Sequence, residues 1–260
     1  MNKPNFLVVG AQKAGTSYLC ACLSRHPEIF MSDPKELMFF LDSGLDRSDF
    51  QNYLVKHFSD ATNETWLGEG STVYFQWPGA MENIVNFLGP ELKIIISLRH
   101  PVEKAVSFYI HNWRRGRFRG SEPILDVGYA QATMSPIYTS LYSSHISRWQ
   151  EAFGKERIAF LLFDTLLEDS ACFVKGATDF LGVAPLKEVI PGKVNPGPRL
   201  KLEGDHLVVQ GTPKPGQVVP KIEISDIKEM QKLFLNDIRA TEELIGQDLA
   251  KWRKMPFSPK

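Results

Sequence analysis

Three short apolar runs, rich in β-branched or aromatic residues, punctuate the chain: Asn5 to Val9, Lys93 to Leu98 and Arg157 to Phe163. Runs of this length without polar alternation predict strands buried on both faces, as in a parallel sheet. A helical pattern follows each. Leu19 and Leu23 stand four apart over Thr16 to Arg25, and Val102, Val106, Tyr109 and Ile110 line one side of Val102 to His111. This alternation predicts an α/β fold, a doubly wound parallel sheet flanked by helices.

A fourth strand is expected at Thr65 to Glu69, with helices over Arg47 to Phe58, Pro78 to Leu88, Tyr138 to Phe153 and Ser170 to Leu181. From Pro185 to Pro220, seven prolines and several glycines leave room for little regular structure beyond a hairpin through His206 to Val209. Helical spacing returns from Glu223 to Leu249, where Ile227, Met230, Leu233, Phe234 and Ile238 form an apolar stripe. A length of 260 residues suits one domain spanning residues 1–260.

Thirty basic residues balance thirty acidic ones, so no global field draws the protein to nucleic acid or to an anionic membrane. Anion binding must be local. Cys20, Cys22 and Cys172 form neither a disulfide framework nor a metal-ligand pattern, and no metal is expected. Without a signal-peptide pattern or a run near the ~18 apolar residues of a membrane span, the expected location is the cytoplasm.

The first strand runs into Gly10-Ala11-Gln12-Lys13-Ala14-Gly15-Thr16-Ser17 and then a helix. A glycine-bearing turn at a helix start offers unpaired N–H groups and the positive end of the helix dipole to a phosphate. Thr16 and Ser17 add hydroxyls. A nucleoside triphosphatase loop places its lysine directly after the second glycine, whereas Lys13 precedes Gly15 by two, which weakens a kinase or NTPase reading. After the central strand comes Arg99, at the carboxyl end where such sheets bind ligands, and Ser107 follows eight residues later, about two helical turns along. The arginine fork can grip two phosphate oxygens.

The segment Lys13-Ala14-Gly15-Thr16-Ser17 resembles the phosphosulfate loop of sulfotransferases that use 3′-phosphoadenosine 5′-phosphosulfate (PAPS), whose sheet is P-loop-like. The resemblance implies that this loop binds the 5′ end of the donor and that Lys13 stabilises charge on the leaving oxygen. It further implies that Arg99 and Ser107 bind the 3′-phosphate, joined by Lys193, Gly197 and Arg199 in Lys193-Val194-Asn195-Pro196-Gly197-Pro198-Arg199. His100 stands where many members carry Asp or Asn. Glu69, in Glu69-Gly70-Ser71-Thr72-Val73-Tyr74-Phe75, is similar to a Glu-Lys-Ser/Thr-x-x-Tyr-Phe signature of heparan sulfate and related carbohydrate sulfotransferases, with Gly70 in place of the lysine. It is the expected base.

The stretch Arg25 to Phe30 followed by Pro34-Lys35-Glu36-Leu37-Met38-Phe39-Phe40 resembles the same branch, as do Ser140 to Trp149 and Ile245 to Trp252. The implied reaction moves a sulfuryl group from PAPS to a hydroxyl or amine, releasing adenosine 3′,5′-bisphosphate. A small metabolite is the expected acceptor, with a saccharide or a carrier-bound intermediate behind it. His111 and His145 are alternative bases, and the basic run from His111 to Arg119 could guide an anionic acceptor. A non-catalytic nucleotide-binding protein is the remaining alternative.

Overall fold

The computed structural model describes residues 2–127, 132–190 and 199–257. Within the α/β domain, packing marks out two compact units, residues 1–99 with 148–195 and residues 100–147 with 196–260.

The first unit holds a parallel sheet of β1 (Phe6–Gly10), β2 (Ile29–Met31), β3 (Trp66–Gly70), β4 (Lys93–Leu98) and β5 (Ile158–Leu162), in the order β2-β3-β1-β4-β5. Every residue of β1 is buried, which explains its unbroken apolar sequence. On one face, α1 (Thr16–Leu23) and α7 (Ser170–Leu181) pack through Leu19, Leu23, Phe173 and Ala177 against Phe6 and Val8. α2 (Arg47–Phe58) starts at a capping box made by Asp46 and Asp49, and α3 (Pro78–Leu88) has Pro78 in its first turn.

Because β2 and β3 lie on one side of β1 while β4 and β5 lie on the other, the winding reverses between β1 and β4. The loops leaving those two strands flank the crevice that such a reversal opens.

The second unit contains α4 (Pro101–Arg114), an antiparallel sheet of β6 (Arg199–Glu203), β7 (His206–Gln210) and β8 (Lys221–Glu223), and α8 (Ile224–Ile245). α5 (Ser143–Phe153) begins here, with its first backbone N–H groups held by Asp237 of α8.

Several boundaries depart from the sequence expectation. β2 is only three residues long, too short for periodicity to reveal. Tyr138 to Ser140 form a separate 3₁₀ turn ahead of α5. The expected strand ending at Phe163 stops at Leu162, where α6 (Phe163–Glu168) begins. The expected hairpin gains a third strand, and α8 stops at Gly246, whose φ of 65° ends the helix.

Candidate active site

Local backbone shapes the loop after β1. Gly10 leaves no room for a side chain, since a Cβ there would lie 2.6 Å from the Phe75 Cβ and 3.1 Å from the Thr72 carbonyl oxygen. Lys13 and Gly15 take left-handed φ values of 67° and 86°. Outliers of this kind on a non-glycine residue point to a constrained, functional turn. α1 then starts with no side-chain cap and no acidic residue in its first turn, so its first N–H groups face outward beside a positive dipole end.

Neighbouring elements hold the loop from below. The Ala11 N–H donates to the Ser97 carbonyl at 2.7 Å, and the Ser97 hydroxyl donates to the Ala14 carbonyl at 2.5 Å. A Cβ on Gly15 would meet Leu166 Cδ2 at 2.6 Å, so α6 closes against the turn. The Arg99 guanidinium stacks over the Phe163 ring at 4.6 Å, with Nη1 3.5 Å from the Lys13 carbonyl oxygen. The structure therefore brings Arg99 to the loop that carries Lys13, Ala14, Gly15, Thr16 and Ser17.

These residues fit a phosphorylated donor. A left-handed glycine turn, an uncapped helix start, a lysine, two hydroxyl residues and an arginine fork meet at one edge of the sheet. The buried Gln12 Oε1 has no hydrogen-bond partner among the described residues, a further polar atom at that edge.

Of the other expected ligands, Ser107 is buried on α4, and Arg199 begins β6 at an exposed position. Lys193 and Gly197 lie outside the described residues. His145 is buried on α5 with its ring edge-on to Tyr138, which does not suit a base open to an acceptor. Arg114, Arg115, Arg117 and Arg119 are exposed.

Glu69 requires a correction. It is fully buried, and its carboxylate accepts hydroxyls from Tyr53 at 2.6 Å, Ser71 at 2.5 Å and Tyr74 at 2.9 Å. Burial pushes its carboxyl above the ordinary range, partly offset by the three hydroxyls. Tyr53 and Tyr74 are pushed up by burial and by the charge of Glu69. A carboxylate enclosed in this way is not offered to an acceptor. Its partners instead organise the preceding loop, since Ser71 Oγ accepts the Met38 N–H at 3.0 Å and the Tyr74 hydroxyl accepts the Phe40 N–H at 3.3 Å.

Nearby, Glu36 keeps 30% of its side chain exposed. Thr72 donates to it through N–H at 2.9 Å and hydroxyl at 2.8 Å, and Thr72 also packs against Gly10 at the start of the phosphate loop. Glu36 was not among the residues expected at the site from the sequence. The signal was present in Pro34-Lys35-Glu36, but only the register with β3, fixed by Glu36 N–H to Gly70 carbonyl at 2.9 Å, shows where that carboxylate lies. One residue further begins a surface cleft of about 630 Å³, lined by Met38, Phe39, Asp42, Asp49, Tyr53 and His57 among others.

The family model described as sulfotransferase domain matches residues 3–194. The chain belongs to the sulfotransferase family. This sulfotransferase is 33% identical over 164 residues to the membrane-associated sulfotransferase kil1 of Dictyostelium discoideum, a match covering 59% of this chain and 32% of that protein. A mouse bifunctional heparan sulfate N-deacetylase/N-sulfotransferase 4 is 29% identical over 199 residues, covering 70% of this chain and 22% of that protein. The matches thus span a third or less of those two relatives. The mouse heparan sulfate glucosamine 3-O-sulfotransferase 6 is 26% identical across 94% of this chain and 72% of its own. A crystal structure of a sulfotransferase from Alicyclobacillus acidocaldarius superposes with a TM-score of 0.76 at 25% identity, covering 98% of this chain and 100% of that one. No helix among the described residues is long and apolar enough to cross a membrane.

Proposed function

We propose that this sulfotransferase uses PAPS to sulfate a hydroxyl or amine, with the 13–17 loop and Arg99 on the donor and Glu36 as the base. The observation that carries the donor reading is the approach of Arg99 to the Lys13 carbonyl beside an uncapped helix start, which gathers anion ligands at one sheet edge. PAPS supplies an activated sulfuryl group. Lys13 and the first N–H groups of α1 neutralise charge at the departing phosphate end, and Arg99 grips the 3′-phosphate. Ser107, Lys193, Gly197 and Arg199 remain candidates for that phosphate by resemblance.

Glu36 takes the acceptor proton as the new bond to sulfur forms. The old bond from sulfur to the phosphate oxygen breaks, and the nucleotide leaves with the electron pair. The part-exposed carboxylate of Glu36 and its tether to Thr72 support this role, while Ser71 and Tyr74, the partners of Glu69, hold the 38–40 loop. The cleft beginning at Leu37 has room for an acceptor of one or two sugar-sized units, and Asp42, Asp49 and Phe39 suit a polar, amine- or hydroxyl-bearing one. Heparan sulfate enzymes among the relatives point the same way, and a small metabolite remains the other class to test.

The test is sulfate transfer from radiolabelled PAPS to glucosamine oligosaccharides and to a panel of small alcohols and phenols. Transfer to one class, lowered about 100-fold or more in Glu36→Gln with donor binding intact, is the expected result. Full activity in Glu36→Gln would remove the base assignment.

A further inference from the structure

We infer that Lys35 positions the Glu36 carboxylate, and that Gly70 provides the space through which its side chain reaches it. The inference rests on the reading of Glu36 as the base.

Neighbouring side chains on an extended chain point to opposite sides. Here Glu36 takes a left-handed φ of 66°, and its N–H is pinned to the Gly70 carbonyl at 2.9 Å. That turn lets the Lys35 ammonium bond the Oε1 of the residue beside it. The same oxygen accepts the Thr72 hydroxyl, and Oε2 accepts the Thr72 N–H. One cation and two neutral donors from the end of β3 thus hold the carboxylate, while 30% of Glu36 and 22% of Lys35 stay exposed.

Gly70 makes the approach possible. A Cβ built on it would lie 2.7 Å from Cys20 Sγ and 3.5 Å from both Cγ and Cε of Lys35. The aliphatic stem of Lys35 therefore runs across the bare face of Gly70, and a long side chain at position 70 would contest that path. With no side chain at position 70, the ammonium reaches the carboxylate from position 35. Cys20 on α1 feels both charges, and Glu69 on β3 feels that of Glu36. Burial pushes the Cys20 thiol up to about 12, so no thiolate competes for the ammonium at neutral pH.

The experiment has a kinetic arm and a spectroscopic arm. With the acceptor found in the transfer screen, Lys35→Met is expected to lower kcat roughly ten-fold, leaving the KM for PAPS and the affinity for adenosine 3′,5′-bisphosphate within about two-fold. Lys35→Arg should keep most of the rate, and Lys35→Met combined with Glu36→Gln should be no slower than Glu36→Gln alone. An unchanged kcat in Lys35→Met, additive losses in the double variant, or weakened nucleotide binding would each overturn the inference.

Nitrogen-15 NMR of the lysine ammonium groups needs no acceptor. The Lys35 signal should resist solvent exchange in the wild type and broaden in Glu36→Gln. Its absence from the wild type would overturn the pairing. A protected signal together with full activity in Glu36→Gln would instead remove the base reading and leave the pair as a local structural contact, which also overturns the positioning role.

Discussion

Two glutamates at the end of one sheet have opposite fates, decided by what covers them. Glu69 is sealed beneath Tyr53, Ser71 and Tyr74, while Glu36 sits on the outer loop against Thr72. Because burial raises the Glu69 carboxyl in the folded state, its protonated form is favoured by folding. The associated stability is present below the unfolded pKa of about 4.3 and is lost as pH rises through the higher folded value. Glu69→Gln should remove that decline, so urea denaturation of wild type and variant across this window should give a stability difference that changes with pH in the stated sense. A difference independent of pH would contradict the assignment. Lys13 and Arg99 should separate differently. Lys13→Ala is expected to lower kcat by about 100-fold or more with a smaller effect on product-nucleotide affinity, as for removal of a donor to developing charge. Arg99→Ala should weaken adenosine 3′,5′-bisphosphate roughly 10- to 100-fold by calorimetry. An unchanged transfer rate in Lys13→Ala would refute its role.

At the scale of elements, contiguous signals were readable and tertiary ones were not. β1, the turn through Lys13 and Gly15, and α1 follow from a buried apolar run, a glycine and a helical period that all lie in one stretch. The position of Arg99 at the end of β4 was likewise readable from an apolar run that stops. The exposure of Glu69 was not, because α2 brings Tyr53 across it from sixteen residues upstream. Nor could Glu36 be placed without the pairing of β2 with β3, since β2 has only three residues and a weak signal. The helix α5 makes a similar point in the second unit. Its first turn is held by Asp237, which accepts from the N–H groups of Tyr142 at 2.7 Å and Ser143 at 3.0 Å. Asp237→Ala should cost about 1–2 kcal/mol in chemical denaturation, as the loss of a helix cap does, and a variant as stable as the wild type would show that the contact carries no weight.

At the scale of the whole molecule, a net charge of zero leaves the binding of the proposed, multiply charged donor to a local constellation. The sheet order opens its crevice between β1 and β4, and the two loops that flank it carry Lys13 and Arg99. Membership of the sulfotransferase family and the superposition with a bacterial sulfotransferase establish the family and the fold. The most direct measurement is calorimetric titration of the protein with adenosine 3′,5′-bisphosphate, alongside 5′-AMP and Mg·ATP. Metal-independent binding of the bisphosphate, far tighter than that of 5′-AMP, is the predicted result. Preference for Mg·ATP, or equal affinity for 5′-AMP and the bisphosphate, would contradict a PAPS site.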